Sequence, residues 1–379
     1  MSKIGYNPVA KIVVIGVGGG GNNSVKELLN KRLDGIEYVV ANTDKQVLQQ
    51  FEEDVILQLG DQRGIGAGAN PEVGRQAALT SADEIKAKLK GADLVILTAG
   101  MGGGTGTGAS PVIAKIAKEC NALVMAIVTT PFSFEGIKRK KIAEEGLKEL
   151  IQNVDSYVVI SNNKLMEQYG DIDFNSAFTC VDNVLKQAIR TITDIIAVPG
   201  IINLDFADLE TIIKNSGEAV IGIGTSSGTD RAIKAITAAI SSPILETSVR
   251  GASDAIVYFE VPSSANLNEI NKAVNQMQEY IGEKTNIIFG ITKTHSEERE
   301  KMGEIAVSVI ATGLKKNAAK GTEKIQREVS DIIKNGHNLH LEDERTREIL
   351  INSPFTPSNF SNQSQNNFND DELADIVRK

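Results

Sequence analysis

Thr98-Ala-Gly-Met-Gly-Gly-Gly-Thr-Gly-Thr-Gly-Ala-Ser110 is the stretch whose reading decides the fold. The apolar run Ala92 to Leu97 leads into it, and a helix-forming segment, Pro111 to Cys120, follows. A strand, a glycine loop and a helix in that order make a phosphate cradle. Glycines let consecutive backbone N–H groups turn toward one anion, threonine hydroxyls add donors, and the positive end of the following helix dipole points at the same place. No lysine sits in the loop, so it is not the GxxxxGK[ST] P-loop. A flexible linker can be equally rich in glycine, but it is not framed by a buried-type strand and an apolar helix.

Outward from this loop the chain alternates. Lys11 to Gly16 reads as a strand, Asn22 to Lys31 as a helix and Ile36 to Ala41 as a strand. Next come a helix over Glu72 to Leu89, the strand Ala92 to Leu97, the helix Pro111 to Cys120 and the strand Ala122 to Val128. The helix Gly136 to Ile151 and the strand Ser156 to Ile160 complete the series. Continuous apolar strands of this kind predict a mostly parallel sheet covered on both faces by helices. Phe174 to Ile196 reads as one long periodic helix ending before Pro199-Gly200, a spine between two domains. Beyond it, strands at Ala219 to Ile223, Ala255 to Val261, Asn286 to Phe289 and Glu304 to Ala311, with helices such as Arg231 to Ile240, predict an α+β domain with a smaller sheet. Lys315 to Asp343 could form a polar helix, and Asn352 to Asp371, rich in Asn, Ser and Gln, has the composition of a disordered segment.

Composition bounds the function. The 379 residues suffice for two domains and a tail, and 41% hydrophobic content supports sizeable cores. A net charge of −9 argues against a nucleic-acid partner, and the short Lys138-Arg139-Lys140-Lys141 run reads as a solvated helix face. Cys120 and Cys180 fit no metal spacing and read as reduced core thiols. Met1 to Ala10 lacks a signal-peptide pattern, and no apolar run approaches the roughly 18 residues of a membrane span. The expectation is a soluble cytoplasmic protein without direct membrane insertion.

Gly16-Val-Gly18-Gly-Gly-Gly21 also satisfies GxGxxG after a strand, with Asp44 at the spacing of a dinucleotide fingerprint. An NAD-dependent oxidoreductase is therefore a live alternative. Against it stands the second, richer glycine loop, which a dinucleotide site does not require. Two glycine loops at one sheet edge suggest a single polyphosphate gripped from two sides, and Gly64-Ile-Gly-Ala-Gly-Ala-Asn70-Pro71 could close over its end.

Gly102-Gly-Gly-Thr-Gly-Thr-Gly108 resembles the signature loop of the tubulin superfamily, and Thr98-Ala-Gly-Met resembles its bacterial cell-division branch, the FtsZ family. Gly16-Val-Gly-Gly-Gly-Gly-Asn-Asn23, Ala41-Asn-Thr-Asp44, Gly66-Ala-Gly-Ala-Asn-Pro71, Pro131-Phe-Ser-Phe-Glu-Gly136 and Asn203-Leu-Asp-Phe-Ala-Asp208 match in the family's order, from about residue 10 to 314. The resemblance implies an α/β protein with a Rossmann-like, mostly parallel GTPase domain at 11–173 after an extension at 1–10. A central helix at 174–200, an α+β domain at 201–314, a mostly disordered linker at 315–371 and a docking peptide at 372–379 would follow.

It also implies GTP and GDP as ligands, Mg2+ on the phosphates, head-to-tail polymerisation, and GTP hydrolysis completed between subunits of a mid-cell division ring. Carried over residue by residue, Gly19, Gly20, Gly21, Asn22, Asn23, Gly103, Gly104, Thr105, Gly106, Thr107 and Gly108 would hold the phosphates, with Asn23 also near the base. Glu135 and Arg139 would meet the ribose side, Pro131 and Asn162 the nucleotide, Phe178 would stack on guanine, and Asp182 would accept from guanine N1–H and the 2-amino group. Read as residues alone, Phe178 is a core side chain and Asp182 a solvated helix residue. Asp205 and Asp208, three apart at a helix start, read on their own as caps. In the family, the loop holding them and Asn203 is presented to the next subunit's nucleotide, where the acids polarise the attacking water. A non-hydrolysing nucleotide-sensing scaffold would share the pocket but not the turnover.

No all-protein cage for a metal is visible in the sequence. Two positions depart from the family pattern: Ser161 stands where proline usually precedes Asn162, and Asp375-Ile-Val-Arg378 keeps only a fragment of the usual C-terminal peptide. Leu373 and Ile376 could still anchor a short helix to membrane-tethering and regulatory division proteins.

Overall fold

Strand and helix alternate from the first described residues: β1 (Ile12–Val17), α1 (Gly18–Leu29), β2 (Ile36–Asn42), α2 (Lys45–Leu48), β3 (Ile56–Gln58), α3 (Pro71–Thr80) and α4 (Ala82–Leu89). Next come β4 (Leu94–Gly100), α5 (Thr105–Glu119), β5 (Leu123–Thr130), α6 (Ile137–Ile151), β6 (Ser156–Ser161) and α7 (Asn162–Tyr169). The computed structural model describes residues 10–30, 32–169, 173–241 and 247–314. The expectations for Lys315 to Asp343, the 315–371 linker and the 372–379 peptide lie outside the described residues.

The six strands are parallel in the order β3-β2-β1-β4-β5-β6. Alternate side chains supply two cores. Val13, Ile15, Val95 and Leu97 face Ile113 and Ala117 of α5, while Ile12, Val14, Leu94 and Ile96 join Leu28 of α1. Burial on both faces explains why the strands read as unbroken apolar runs. The strand order reverses between β1 and β4, and in such sheets ligands bind outside the C-terminal strand ends at the reversal.

The expected spine is α8 (Phe174–Ala197), 24 residues and about 36 Å long. Val181, Leu185, Ile189 and Ile192 recur at helical spacing and are buried. Each such side chain contributes about 1.5–3 kcal/mol by leaving water. Their core cluster includes Ile127 of β5 and also Ile256 and Ile310 of the second sheet, so one helix face serves both domains.

That second sheet is built by α9 (Phe206–Ile213), β7 (Gly217–Ser226), α10 (Arg231–Ile240), β8 (Asp254–Val261), α11 (Leu267–Ile281), β9 (Asn286–Lys293), α12 (Glu297–Met302) and β10 (Ile305–Thr312). The order is β7-β10-β8-β9, antiparallel at the first two junctions and parallel across the α11 crossover. The sheets are not separate. Ser156 pairs with Gly217 and Tyr157 with Glu218, which joins ten strands into one sheet.

Two helices begin earlier than the residues predict. The helix expected from Pro111 starts at Thr105 and carries Pro111 inside it, and the helix expected from Asn22 starts at Gly18. Glycine costs a helix about 1 kcal/mol relative to alanine, so propensity places the starts after the glycines. Close packing overrides it: a Cβ on Gly108 would lie 1.8 Å from the Pro71 carbonyl oxygen, and one on Gly18 would lie 2.8 Å from the Gly106 nitrogen. The helix expected over Glu72 to Leu89 is two helices, broken at Ser81, whose hydroxyl accepts from the Gly60 N–H at 3.0 Å.

Candidate functional site

At the β1/β4 reversal lies a cleft of about 360 Å3, within the range of small-ligand sites. Its floor is made by the starts of α1 and α5. Neither helix has a side-chain cap: Val17 and Gly104, the flanking residues, make no capping hydrogen bond. Their first-turn amides are therefore free donors, and both dipoles put positive charge into one space. Gly19, Gly20 and Asn23 of α1, and Gly103, Gly104, Thr105 and Gly106 around the start of α5, line it. The arrangement suits a polyanion.

The loop keeps its shape through bonds that point away from the cleft. Gly102 N–H donates to Thr107 Oγ1 at 2.8 Å, and Met101 N–H donates to the Thr129 carbonyl at 2.9 Å. Asn22, fully buried, donates to the carbonyls of Gly16 and Ala41 and accepts from Asn42 Nδ2 at 2.6 Å. A Cβ on Gly21 would lie 2.3 Å from the Thr98 carbonyl oxygen. The side-chain positions of Gly21, Asn22, Thr107 and Gly108 thus face the scaffold, and these four do not line the cleft.

The other end is aromatic and acidic. Pro131, Glu135, Arg139, Asn162, Phe178 and Asp182 converge there from the β5–α6 connection, α6, α7 and α8. Glu135 accepts from the Phe132 N–H at 2.9 Å and pairs with Arg139 Nε at 3.0 Å. Phe178 is 44% exposed and stands edge-on to buried Phe132, with ring centroids 5.2 Å apart. One face of its ring is available to a flat ligand. Asn162 Oδ1 is buried without a hydrogen-bond partner among the described residues, an acceptor left open at the cleft wall. Burial, and then the nearby Glu27 carboxylate, raise Asp182 to about 6, against the pull of Lys186.

Asn203, Asp205 and Asp208 lie elsewhere. Asp205 caps α9 by accepting from the Asp208 N–H at 2.8 Å, and Asp208 returns the bond by accepting from the Asp205 N–H at 3.1 Å. Asn203 Oδ1 accepts from the Gly200 N–H at 2.6 Å. Ile202 bridges to Ile291 of β9, which fixes this loop to the second sheet. From Asp182 to Ala197, α8 advances about 22 Å away from the cleft at 1.5 Å per residue. The structure therefore brings thirteen of the expected ligand residues together and holds the acids at the far end of the spine.

Thr129, Val181 and Leu185 line the cleft without having been singled out in the sequence, beside Gly100 and Met101 of the glycine-loop stretch. Val181 and Leu185 were recoverable, because with Phe178 and Asp182 they share one helical face. Thr129 lies at the C-terminal end of β5, next to its last residue and beside the glycine loop, a placement only the sheet order reveals. Asp44, the acid of the dinucleotide fingerprint, caps α2 through the Gln46 N–H at 2.9 Å and does not line the cleft. The Gly64 to Asn70 segment also lies outside the lining; Ala67 and Asn70 pack against Gly104.

Similarities to known proteins extend over both halves of the chain. The tubulin/FtsZ family GTPase-domain model matches residues 11–170, and the FtsZ family C-terminal domain model matches residues 217–315. A cell division protein FtsZ from Mycoplasmopsis pulmonis is 53% identical over 352 residues, which span 92% of this chain and 89% of that protein. An empty FtsZ dimer from M. jannaschii superposes with a TM-score of 0.75 at 39% identity, over 80% of this chain and 88% of that one. CetZ2 from Haloferax volcanii, solved as a GTPγS-bound protofilament, superposes with a TM-score of 0.66 at 19% identity, over 86% and 99%. That last likeness is one of fold.

Proposed function

The chain belongs to the tubulin/FtsZ family, and on that premise we propose that its GTP is hydrolysed only where the cleft of one copy meets the α9 acids of the next. It is a tubulin-like GTPase of the cell-division branch, and it self-associates. The observation that carries the proposal is the separation just described: among the described residues the phosphate end of the cleft offers amides and hydroxyls but no carboxylate, while Asp205 and Asn203 stand exposed beyond the spine. A lone subunit then binds GTP without a group to polarise water, and a second copy supplies Asp205, Asp208 and Asn203.

Within the cleft, the α1 and α5 amides take the phosphates, Glu135 and Arg139 the ribose, Phe178 the base, and ionised Asp182 the N1–H and 2-amino donors that distinguish guanine from adenine. The hydroxyls of Thr105 and Thr129 are hard oxygen donors that suit Mg2+ carried on the phosphates. The sequence around Leu373 and Ile376 is assigned to membrane-tethering and regulatory partners, and the protein to the cytoplasm at the mid-cell division site. Among the described residues no helix is long and apolar enough to cross a membrane.

Phosphate release measured across protein concentrations tests this reading. Specific activity rises with concentration if two copies build each site; a constant specific activity contradicts it. Asp182 adds a pH signature. Guanine requires its carboxylate, which protonates as pH falls through about 6 in the free protein. GTP affinity is then flat above pH 7 and drops about tenfold per pH unit well below 6. Titrations between pH 5 and pH 8 check this, and Asp182→Asn is expected to bind weakly with no such slope.

A further inference from the structure

We infer that Thr43 is a positioning residue for the phosphate loop, acting solely through the hydroxyl of Thr105. Thr43 follows β2, is 5% exposed and does not line the cleft. Its Oγ1 lies 2.7 Å from Thr105 Oγ1, across a sequence separation of 62 residues. Thr105 opens α5 and does line the cleft.

A hydroxyl carries one proton and two lone pairs, so the pair can be oriented in two ways. Were Thr105 to donate to Thr43, the Thr43 proton would be buried without an acceptor, since among the described residues Thr43 Oγ1 has no other partner. Burying an unpaired donor is costly. The favoured orientation has Thr43 donating to Thr105, which leaves the Thr105 proton free for an oxygen in the cleft. A phosphate oxygen there strengthens both bonds in series, Thr43 to Thr105 to phosphate.

Thr43 is itself anchored. Its carbonyl accepts from the Gly66 N–H at 3.1 Å, and the next residue, Asp44, bridges to Ile65. The Thr105 side chain is thereby tied to a fixed point outside the glycine loop, in a segment where glycine backbone alone would orient it poorly.

The inference rests on the reading of Thr105 as a phosphate ligand, and a double-mutant cycle separates the two. GTP affinity and kcat/KM are measured for the full chain as wild type, Thr43→Val, Thr43→Ser, Thr105→Val and the double Val variant. Valine keeps the shape of Thr43 without its hydroxyl. Thr43→Val is expected to weaken kcat/KM about 3- to 10-fold, Thr43→Ser to restore it to within about twofold, and Thr43→Val to have no further effect in the Thr105→Val background. If Thr105→Val alone leaves GTP affinity unchanged, the phosphate-ligand reading fails, and the inference with it. If Thr105→Val weakens binding while Thr43→Val does not, or if the two losses simply add, Thr43 does not act through Thr105. Loss in Thr43→Ser equal to that in Thr43→Val overturns the hydroxyl's role as well.

Discussion

Asp208→Ala is expected to bind GTP with near wild-type affinity and to lose turnover by about 10^2- to 10^4-fold, the usual contribution of a group that positions or activates the attacking water. Affinity survives because Asp208 is absent from its own subunit's cleft. The substitution also removes one half of the capping box with Asp205, which costs about 0.5–2 kcal/mol of local stability. Asp208→Asn keeps an oxygen for the Asp205 N–H while removing the charge, and so separates the two effects. It should stay folded and remain inactive. Equal loss of affinity and turnover in Asp208→Ala would put the residue in the subunit's own pocket, against the account.

The second large effect is one of stability. Gly108 belongs to a nucleotide-binding motif in the sequence, yet a Cβ there would lie 1.8 Å from the Pro71 carbonyl oxygen, 2.7 Å from the Pro71 carbonyl carbon and 2.8 Å from the Arg75 nitrogen. All three are backbone atoms of α3, so no side chain can move aside. Gly108→Ala must push α3 from α5 and is expected to cost at least about 3 kcal/mol, beyond ordinary overpacking. At about 2–4 °C per kcal/mol for a chain of this size, the melting temperature falls by roughly 6–12 °C. GTP affinity of the folded protein at low temperature should change little. An unchanged melting temperature with lost GTP binding would instead make Gly108 a ligand contact.

These two residues mark what the sequence could and could not convey. Strand identities were legible because β1, β4 and β5 are buried on both faces and read as uninterrupted apolar runs. The spine was legible because one face of α8 keeps its period for 24 residues. The starts of α1 and α5 were not, because the glycines there answer to close approach of α3 and of the β4 end, which no local pattern encodes. Within the site, the glycine cradle announces an anion by chemistry alone. Phe178 and Asp182 do not announce a purine: each is an ordinary helical residue until the fold sets it opposite Pro131 and Asn162. Asp205 and Asp208 are the harder case, since the structure places them as helix caps and a cap needs no further explanation. Only the exposure of Asp205 and the distance of both from the cleft, together with family membership, turn them toward a second subunit.

Mixing two inactive proteins tests that claim most directly. Asp208→Ala retains an intact cleft but lacks the acid; Asp182→Ala retains the acid but binds GTP poorly. Mixed in equal amounts with GTP, they should recover phosphate release at the junction where the first protein's cleft meets the second's α9, approaching a quarter of the wild-type rate if copies pair at random. A mixture no more active than its separate components would contradict hydrolysis across the subunit junction.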